Sequence, residues 1–546
     1  MPAPRAIPAR QRLAPRWWAA GVAIAILYCV FLFPSPDFNL YNKDDASLFL
    51  TLGINLVEQL RYTTDTFPSS QEAYGRHGAW PVVFPALLAL VVYGFGTSWY
   101  ALKFTMVILG LSNLALLSRL WRDQPAARWA ILLTALNPAY FLFSHVTMSE
   151  IPFMLTCTLT LLALKRATSP AAASVAGGIA AVTFLTRGYG ISFLPAGTLY
   201  FLIRPERLPM RLRMAVSFSV PLLLAIIGWN FFAAWHTTGV PLDFVTARFG
   251  EGASSMLSLL SRGWIPYVQE FFWYHGRYPL HLFVPLLSWP DGLASNALAV
   301  VSTGSLLVAA YGWWLSVRRG PGPVEVWLPF GIGLLLIGLP NPRQWVTYLP
   351  FILFYWVIVL DHLAMAAPMR VARRYAIAVL VLVTAFGLGR HLAAPDGLRF
   401  HNREWREYRD IAAWASGTLP TNAIVVAPVA HNFRVASNRR TYRLESVQAD
   451  AWPPVDLLDV PDLYLFCPDD SRDPVLQRVK GACASLIGSG RFDAVRAGDT
   501  LTLYRYRPSS TGYSKESNDT RYNPPDEDVK TVRPAAGHSI LSSSLR

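Results

Sequence analysis

Charged residues are scarce in this chain. They make up 15% of its 546 residues, whereas hydrophobic residues make up 53%. Because ordinary soluble domains contain about 25% charged residues, this composition excludes a typical soluble enzyme and indicates a polytopic membrane protein. The net charge of +14 does not indicate a nucleic-acid partner, since the basic residues fall in short clusters between apolar segments. We therefore expect a lipid bilayer as a partner and no nucleic acid.

Cofactor motifs are also missing. No glycine-rich phosphate loop opens a predicted helix after the last apolar segment, which argues against a nucleotide site there. No Cys/His spacing typical of a structural zinc site occurs, so we expect no metal site and no cofactor, although the sequence leaves a divalent metal open without indicating one. Of the 4 cysteines, Cys29 and Cys157 lie in apolar spans. Cys467 and Cys483 both follow the last span, where they either form a disulfide or remain two free thiols.

The basic clusters predict the topology. Short basic loops mark the cytoplasmic side, and about eleven spans with a cytoplasmic N-terminus place every such cluster on that side. The clusters lie at residues 5–16, 119–128, 165–166, 204–213, 318–319 and 370–374. The apolar stretch 82–96 is too short for a comfortable span and contains Pro85, so we interpret it as a juxtamembrane or re-entrant helix.

An odd number of spans puts the rest of the chain outside the cytoplasm. Residues 1–392 then form a transmembrane domain, residues 393–507 a small extracytoplasmic α/β domain, and residues 508–546 a disordered tail rich in serine, asparagine, proline and charge. The predicted elements of the α/β domain are helices over 405–416 and 473–487, strands over 423–429 and 462–467, and a hairpin over 492–506. The predicted fold class is an α-helical polytopic membrane protein with a C-terminal α/β domain.

Two adjacent aspartates follow the first span. Asp44 and Asp45 stand about ten residues beyond the span 17–33, at the head of an amphipathic helix over 46–60. Such a helix lies on the bilayer surface and holds its N-terminus at the lipid–water boundary. The carboxylates either cap this helix or act as a base on a substrate presented at the membrane face. A pair is more than capping requires, which favours the second interpretation.

Three more ionisable residues lie at predicted span ends on the outer side, where such residues are candidates for a functional site. Glu150 begins a span, either as a partner of the helix dipole or as a site residue. Arg187 and Arg343 each lie in an outer hairpin, where an arginine either contacts lipid headgroups or binds a phosphate with its planar fork. The outer loop 236–292 is rich in aromatic residues, most of which fit an interfacial belt.

A carboxylate base beside outer-face arginines indicates chemistry on a lipid phosphate ester. Nucleotide sugars are cytoplasmic, which leaves a lipid-linked sugar phosphate as the donor. A transporter or flippase of lipid-linked sugars would use the same arginines without a base, although the repeats and discontinuous spans of many transporters are not evident. A non-catalytic scaffold for envelope assembly accounts for the hydropathy but not for Asp44 and Asp45.

Four stretches, in this order, resemble the GT-C glycosyltransferases. Within that superfamily the sequence is most similar to the protein O-mannosyltransferases, the lipid A aminoarabinose transferases and their bacterial relatives. The stretches are the acidic motif at 42–46 with 48–55, the proline-containing helix from 80–85 to 93–96, the pair of segments from 136–138 to 148–150, and the glycine-rich helix from 177–178 to 185–187. The resemblance covers roughly residues 15–390. No single motif is specific, but the four in this order are.

The resemblance implies an enzyme of the bacterial inner or plasma membrane. Such enzymes transfer a hexosyl or pentosyl group from a polyprenyl phosphate to a glycan, lipid or protein acceptor, with inversion at the anomeric carbon. By match, Asp44 is the base with Asp45 beside it, and Arg187 and Arg343 hold the donor phosphate. The further candidates for substrate contacts are Glu150, Arg76, His77 and Lys103. Two departures concern the donor contacts: Lys103 stands where relatives often have arginine, and the usual paired prolines are split as Pro81 and Pro85.

Overall fold

A computed structural model of the chain describes residues 15–32, 45–60, 62, 80–236, 293–337, 342–364, 369–393, 403–444, 462–469 and 474–507. The described residues up to Tyr506 belong to one compact unit. Several residues and segments singled out by the sequence lie outside these ranges, namely Asp44, Arg76, His77, nearly all of the loop 236–292 and the tail 508–546.

Helices dominate the chain before residue 400. The first seven are α1 (Pro15–Val30), α2 (Asp45–Gln59), α3 (Val83–Phe95), α4 (Trp99–Leu120), α5 (Ala127–Leu136), α6 (Pro138–Phe143) and α7 (Glu150–Arg166). The next seven are α8 (Pro170–Thr186), α9 (Phe193–Leu202), α10 (Leu208–His236), α11 (Leu293–Arg318), α12 (Pro323–Ile337), α13 (Leu349–Leu363) and α14 (Met369–Ala393). Two 3-10 turns, Gly188–Ser192 and Pro342–Thr347, precede α9 and α13.

The apolar helices make this an integral membrane protein. Among the described residues, four helices are long and apolar enough to cross a membrane, and they lie in α4, α10, α11 and α14. Shorter apolar helices occur in α1, α3, α5, α8, α12 and α13. The predicted first span, 17–33, corresponds to α1, and the total of about eleven crossings stays a prediction.

One predicted span is interrupted. The apolar run 129–146 predicts a single helix, but the structure ends α5 at Leu136 and begins α6 at Pro138. The Asn137 side chain accepts hydrogen bonds from the backbone N–H groups of Ala139 at 2.9 Å and Tyr140 at 3.2 Å. Proline disfavours the helical conformation of the residue before it. An asparagine cap followed by proline starts a new helix.

The amphipathic helix predicted after the first span is confirmed as α2. Other parts of the protein cover its polar side as well as its apolar side. Its apolar side packs on α3, and Gly53 lies where the two helices approach closely. A Cβ atom at that position would lie 3.1 Å from both Ala89 N and Pro85 O. Its polar residues Ser47, Thr51 and Asn55 are buried as well. This second contact was not among the predictions from the sequence.

The C-terminal part is α/β. Its elements are α15 (Arg403–Thr418), β1 (Ile424–Ala427), α16 (Ala430–Ser437), β2 (Arg440–Arg443), β3 (Leu463–Pro468), α17 (Pro474–Gly488), β4 (Phe492–Ala497) and β5 (Leu501–Tyr506). The strand order is β2-β1-β3-β5-β4, with β1 parallel to β2 and β3 and with β5 antiparallel to β3 and β4. The predicted helices, strands and hairpin are confirmed, whereas α16 and the polar edge strand β2 were missed.

Helices cover both faces of this sheet. Val425 and Ala427 of β1 belong to the core under α15, whereas Ile424 and Val426 belong to the core that includes residues of α17. This alternation follows from the two-residue period of a strand. On the second face, Cys467 of β3 and Cys483 of α17 form a disulfide, which is one of the two states that the sequence left open.

Candidate functional site

Glu150 lies at the start of α7 with its side chain fully buried. The chain reaches it from α6 through a short buried loop. In that loop, His145 contacts the backbone oxygen of Phe141 through Nδ1 at 2.8 Å and that of Tyr28 through Nε2 at 2.9 Å. His145 therefore ties the end of α1, from which the chain continues to Asp44, to the loop that leads to Glu150. Sequence reasoning missed His145, because a single histidine between apolar residues carries no pattern.

Arg187 directly follows α8. Its backbone is extended, with φ −159° and ψ 130°, and the 3-10 turn Gly188–Ser192 comes next. Gly190 donates its N–H to the carbonyl of Arg187 at 2.9 Å. A side chain at Gly190 is not tolerated, because a Cβ atom would lie 2.5 Å from Phe184 N. This tight return of the chain turns the Arg187 guanidinium toward α7, where Nη1 lies 2.8 Å from Glu150 Oε1.

Arg343 approaches the same carboxylate from another part of the chain. It lies in the 3-10 turn Pro342–Thr347, between α12 and α13. Its Nε atom is 3.4 Å from Glu150 Oε1. The exposed fraction is 12% for the Arg187 side chain and 11% for that of Arg343, against 0% for Glu150. We call these three residues the Arg-Glu-Arg cluster.

Aromatic residues hold the two turns of this cluster in place. The ring of Trp327 in α12 stacks between Phe193 and Tyr348, with centroid distances of 5.1 and 5.5 Å. Its Nε1 donates a hydrogen bond to Ser192 Oγ at 3.0 Å, and the Tyr348 hydroxyl donates one to Gly331 O at 2.9 Å. Ser192 ends the turn after Arg187, and Tyr348 directly follows the turn that carries Arg343. Trp327 therefore fixes both arginine turns relative to each other.

The three side chains of the cluster sum to a charge of +1, because two guanidinium groups surround one carboxylate. Its members begin α7, follow α8 and precede α13, so they converge from three separate hairpins. The basic residues Lys165 and Arg166 lie at the other end of α7. A buried positive charge formed by two planar forks is suited to a phosphate, which accepts paired hydrogen bonds from arginine. The structure thus brings together three of the predicted site residues.

The structure describes only some of the other predicted site residues. Lys103 lies in α4, is 2% exposed, and has its ammonium 5.2 Å from the ring centroid of Tyr100. Asp45 begins α2, and its partner Asp44 lies just before the described residues. Arg76 and His77 also lie outside them. In the part of the chain that the structure describes, no group of three or more His, Cys, Asp or Glu side chains is arranged to hold a metal.

Comparisons with known proteins identify the fold. No family model matches the sequence, and no curated protein matches it. Two solved structures of ArnT from Cupriavidus metallidurans, one bound to undecaprenyl phosphate and one in the apo state, match with TM-scores of 0.58 and 0.56. Their sequence identities are 13% and 14%, and each match covers 90% of this chain and 98% of the ArnT chain. A mycobacterial arabinofuranosyltransferase, AftD, matches with a TM-score of 0.47 and 16% identity over 91% of this chain and 42% of its own.

These neighbours are GT-C glycosyltransferases. The two ArnT matches show that this chain has the same fold as ArnT, as the ordered motifs of its sequence predicted.

Proposed function

We propose that this protein is a membrane glycosyltransferase that moves a sugar from a polyprenyl-phosphate donor to an acceptor outside the cytoplasm, with inversion at the anomeric carbon. The observation that carries the proposal is the buried Arg-Glu-Arg cluster, a net positive site in a chain with the GT-C fold. The ArnT structure with bound undecaprenyl phosphate supports a donor of this lipid class. The acceptor is a glycolipid, a polysaccharide or a protein.

Arg187 and Arg343 bind the donor phosphate in this proposal. The linking phosphodiester carries one negative charge, and the polyprenyl phosphate that leaves carries up to two. A fixed positive cluster therefore interacts more strongly with the leaving group than with the donor, which is the condition for lowering the barrier. Glu150 neutralises one of the two positive charges and contacts both guanidinium groups through Oε1. Its role is to hold the arginines rather than to touch the sugar.

Asp44 is the proposed base. Its carboxylate accepts the proton of the acceptor hydroxyl while the hydroxyl oxygen forms a bond to the anomeric carbon. The bond between that carbon and the phosphate oxygen breaks, and its electron pair leaves with the polyprenyl phosphate. Because a phosphate is a good leaving group, strong acid catalysis is not required. Asp45, the first residue of α2, orients Asp44.

The proposal also includes the orientation of the protein in the membrane. About eleven spans with a cytoplasmic N-terminus place the Arg-Glu-Arg cluster and the C-terminal α/β part outside the cytoplasm. Cysteines introduced singly at Ser69, Ser261 or Ser471, in a background without native cysteines, should react with impermeant thiol reagents from outside. Those at Gln124 or Gly320 should not. Outside labelling at Gln124 would mean that α3 crosses the membrane, and the outer-face site would then be wrong.

Transfer itself is tested with purified protein in lipid nanodiscs. The protein is incubated with a synthetic polyprenyl-phosphate sugar and with envelope lipids or glycans as acceptors, and products are identified by mass spectrometry. We expect a glycosylated acceptor together with free polyprenyl phosphate. A flippase would bind the donor and return it unchanged, and a scaffold would do neither, so intact donor in every reaction would contradict the proposal.

A further inference from the structure

The polar stripe of α2 is covered by the C-terminal part of the chain. Ser47, Thr51 and Asn55 are spaced four residues apart and therefore lie on one side of the helix. They are 2%, 0% and 0% exposed. The Thr51 hydroxyl forms its hydrogen bond within α2, where it donates to Ser47 O at 2.8 Å. The other two side chains bond to α16.

Two hydrogen bonds join these helices. The Ser47 hydroxyl donates to Asn432 Oδ1, and Arg434 Nη2 donates to Asn55 Oδ1 at 2.5 Å. On α2 the two attachment points are eight residues apart, which is about 12 Å along the helix axis. Two contacts at this separation fix both the rotation of α2 about its axis and its shift along that axis. Ser47 lies two residues after Asp45, so the first contact acts on the turn that follows the acidic pair.

The backbone that presents α16 is strained. Val429, which precedes the helix, has φ 52° and ψ 51°, the left-handed conformation that a β-branched residue strongly disfavours. Such a residue costs on the order of 1–3 kcal/mol and persists only where its surroundings impose it. Here the buried Tyr408 hydroxyl contacts the carbonyl oxygens of Pro428 at 2.7 Å and Val429 at 3.1 Å. The fold therefore maintains an unfavourable turn that sets the direction of α16.

This turn lies at a distinctive place in the sheet. It follows the carboxyl end of β1, between the parallel neighbours β2 and β3. The chain goes from β1 to β2 on one side and later returns to β3 on the other, so strand order reverses at this point. In open α/β sheets this is where ligands bind. In this protein the same edge carries α16, whose Asn432 and Arg434 contact α2.

We propose that Asn432 and Arg434 are positioning residues, through which the C-terminal α/β part holds α2 and thereby sets the Asp44–Asp45 pair for sugar transfer. This inference rests on the proposed function, since it assigns a task to the segment that carries the base. Displacing a reacting group by about 1 Å can cost about 100-fold in rate. Loss of either contact should therefore lower kcat more than it changes donor binding.

The first experiment compares two arginines of the same region. Arg434→Ala should lower kcat by about 10- to 100-fold while the KM for the donor stays within about twofold, since the donor phosphate binds elsewhere. Arg439→Ala is the matched control, because Arg439 is equally buried and donates to the carbonyls of Leu419 and Ser416 inside the α/β part. It should lower thermal stability without this selective loss of kcat. Unchanged kcat per folded molecule in Arg434→Ala would overturn the positioning role.

The second experiment restores the contact by other means. Ser47→Cys and Asn432→Cys are combined with Arg434→Ala in a background in which Cys29 and Cys157 are replaced by alanine. Oxidation should cross-link α2 to α16 and recover most of the lost kcat, and reduction should remove the gain. A variant with Ser47→Cys alone controls for reduction of the native disulfide. An oxidised protein that is cross-linked but less active than its reduced form would mean that α16 must leave α2 during turnover, which contradicts positioning.

The two proposals fail separately. If the unsubstituted protein transfers no sugar, the proposed function is wrong and the positioning role falls with it. If the unsubstituted protein transfers sugar but Arg434→Ala does so equally fast, only the positioning role is wrong.

Discussion

The helical part and the α/β part both bury arginine, but with different partners. Arg439 in the α/β part is 8% exposed and donates to the carbonyl oxygens of Leu419, Ser416 and Asn438 at 2.6 to 3.2 Å. In the helical part, Arg187 and Arg343 share the single carboxylate of Glu150. Carbonyl partners join one stretch of backbone to another, so they give Arg439 a structural task. A shared carboxylate leaves a net positive charge, which is suited to binding an anion.

Arg434 lies between these two cases. It belongs to the α/β part, but its guanidinium bonds an amide on α2 in the helical part. The comparison therefore separates three tasks for buried arginine, namely fixing a fold, joining two parts of the molecule and presenting charge to a ligand. Each task predicts a different response to substitution.

The largest loss of turnover is expected at the proposed base, and the effects of the arginine substitutions are compared with it. Asp44→Asn keeps the size and shape of the side chain but cannot accept a proton, so turnover should fall about 100- to 10,000-fold. Donor affinity should be retained. Asp45→Asn should be milder if Asp45 only orients its neighbour. Turnover near that of the unsubstituted protein, measured on purified Asp44→Asn, would remove Asp44 from the catalytic role.

Glu150→Gln breaks the cluster at its centre. It removes the carboxylate that both arginines contact, and breaking a buried ion pair costs about 3–5 kcal/mol. The unfolding temperature in detergent should fall accordingly. The double variant Glu150→Gln/Arg343→Gln, which removes one positive charge as well, should regain part of that loss. If the single and double variants unfold at the same temperature as the unsubstituted protein, Glu150 does not hold the arginines together.

Arg187→Lys and Arg439→Lys sharpen the comparison directly. Lysine keeps the charge but cannot form a two-pronged contact. Arg187→Lys should therefore weaken donor binding and raise the activation free energy, by about 2–5 kcal/mol in total. Arg439→Lys should leave donor affinity unchanged and lower only the unfolding temperature. Donor affinity is measured by titration with a polyprenyl-phosphate sugar. An Arg187→Lys protein that binds the donor normally would favour a headgroup contact for Arg187.

The smallest effect is expected at the disulfide of the α/β part. Cys483→Ser opens a loop whose ends are 16 residues apart, and loss of a disulfide of this kind costs about 2–4 kcal/mol of stability. The α/β part should unfold at a lower temperature, while donor binding at the Arg-Glu-Arg cluster is retained below that temperature. A loss of donor affinity in the folded variant would mean that the two regions are coupled more closely than we propose.

The sequence predicted the helical segments well, because long apolar runs between basic clusters have few alternatives. It also singled out Glu150, Arg187 and Arg343, since charges at span ends are rare. It did not predict that one carboxylate joins them, because no periodic pattern connects positions 150, 187 and 343. The pairing depends on how α7, α8 and α13 pack.

Two misses have identifiable signals. The break at Asn137-Pro138 follows from the restriction on a residue before proline, and could have been predicted. The stripe of Ser47, Thr51 and Asn55 on an otherwise apolar helix indicated a polar partner. That partner, α16, is a short helix of mixed composition, and its left-handed entry at Val429 has no local sequence signal.

The central claim is that a sugar leaves a polyprenyl phosphate and reaches an acceptor in one inverting step. The most direct test determines, by mass spectrometry and NMR, both the stoichiometry and the anomeric configuration of the product formed by the purified protein from a donor of known configuration. We predict one free polyprenyl phosphate for each sugar transferred, and an anomeric configuration opposite to that of the donor. A product with retained configuration, or donor returned intact, would contradict the account.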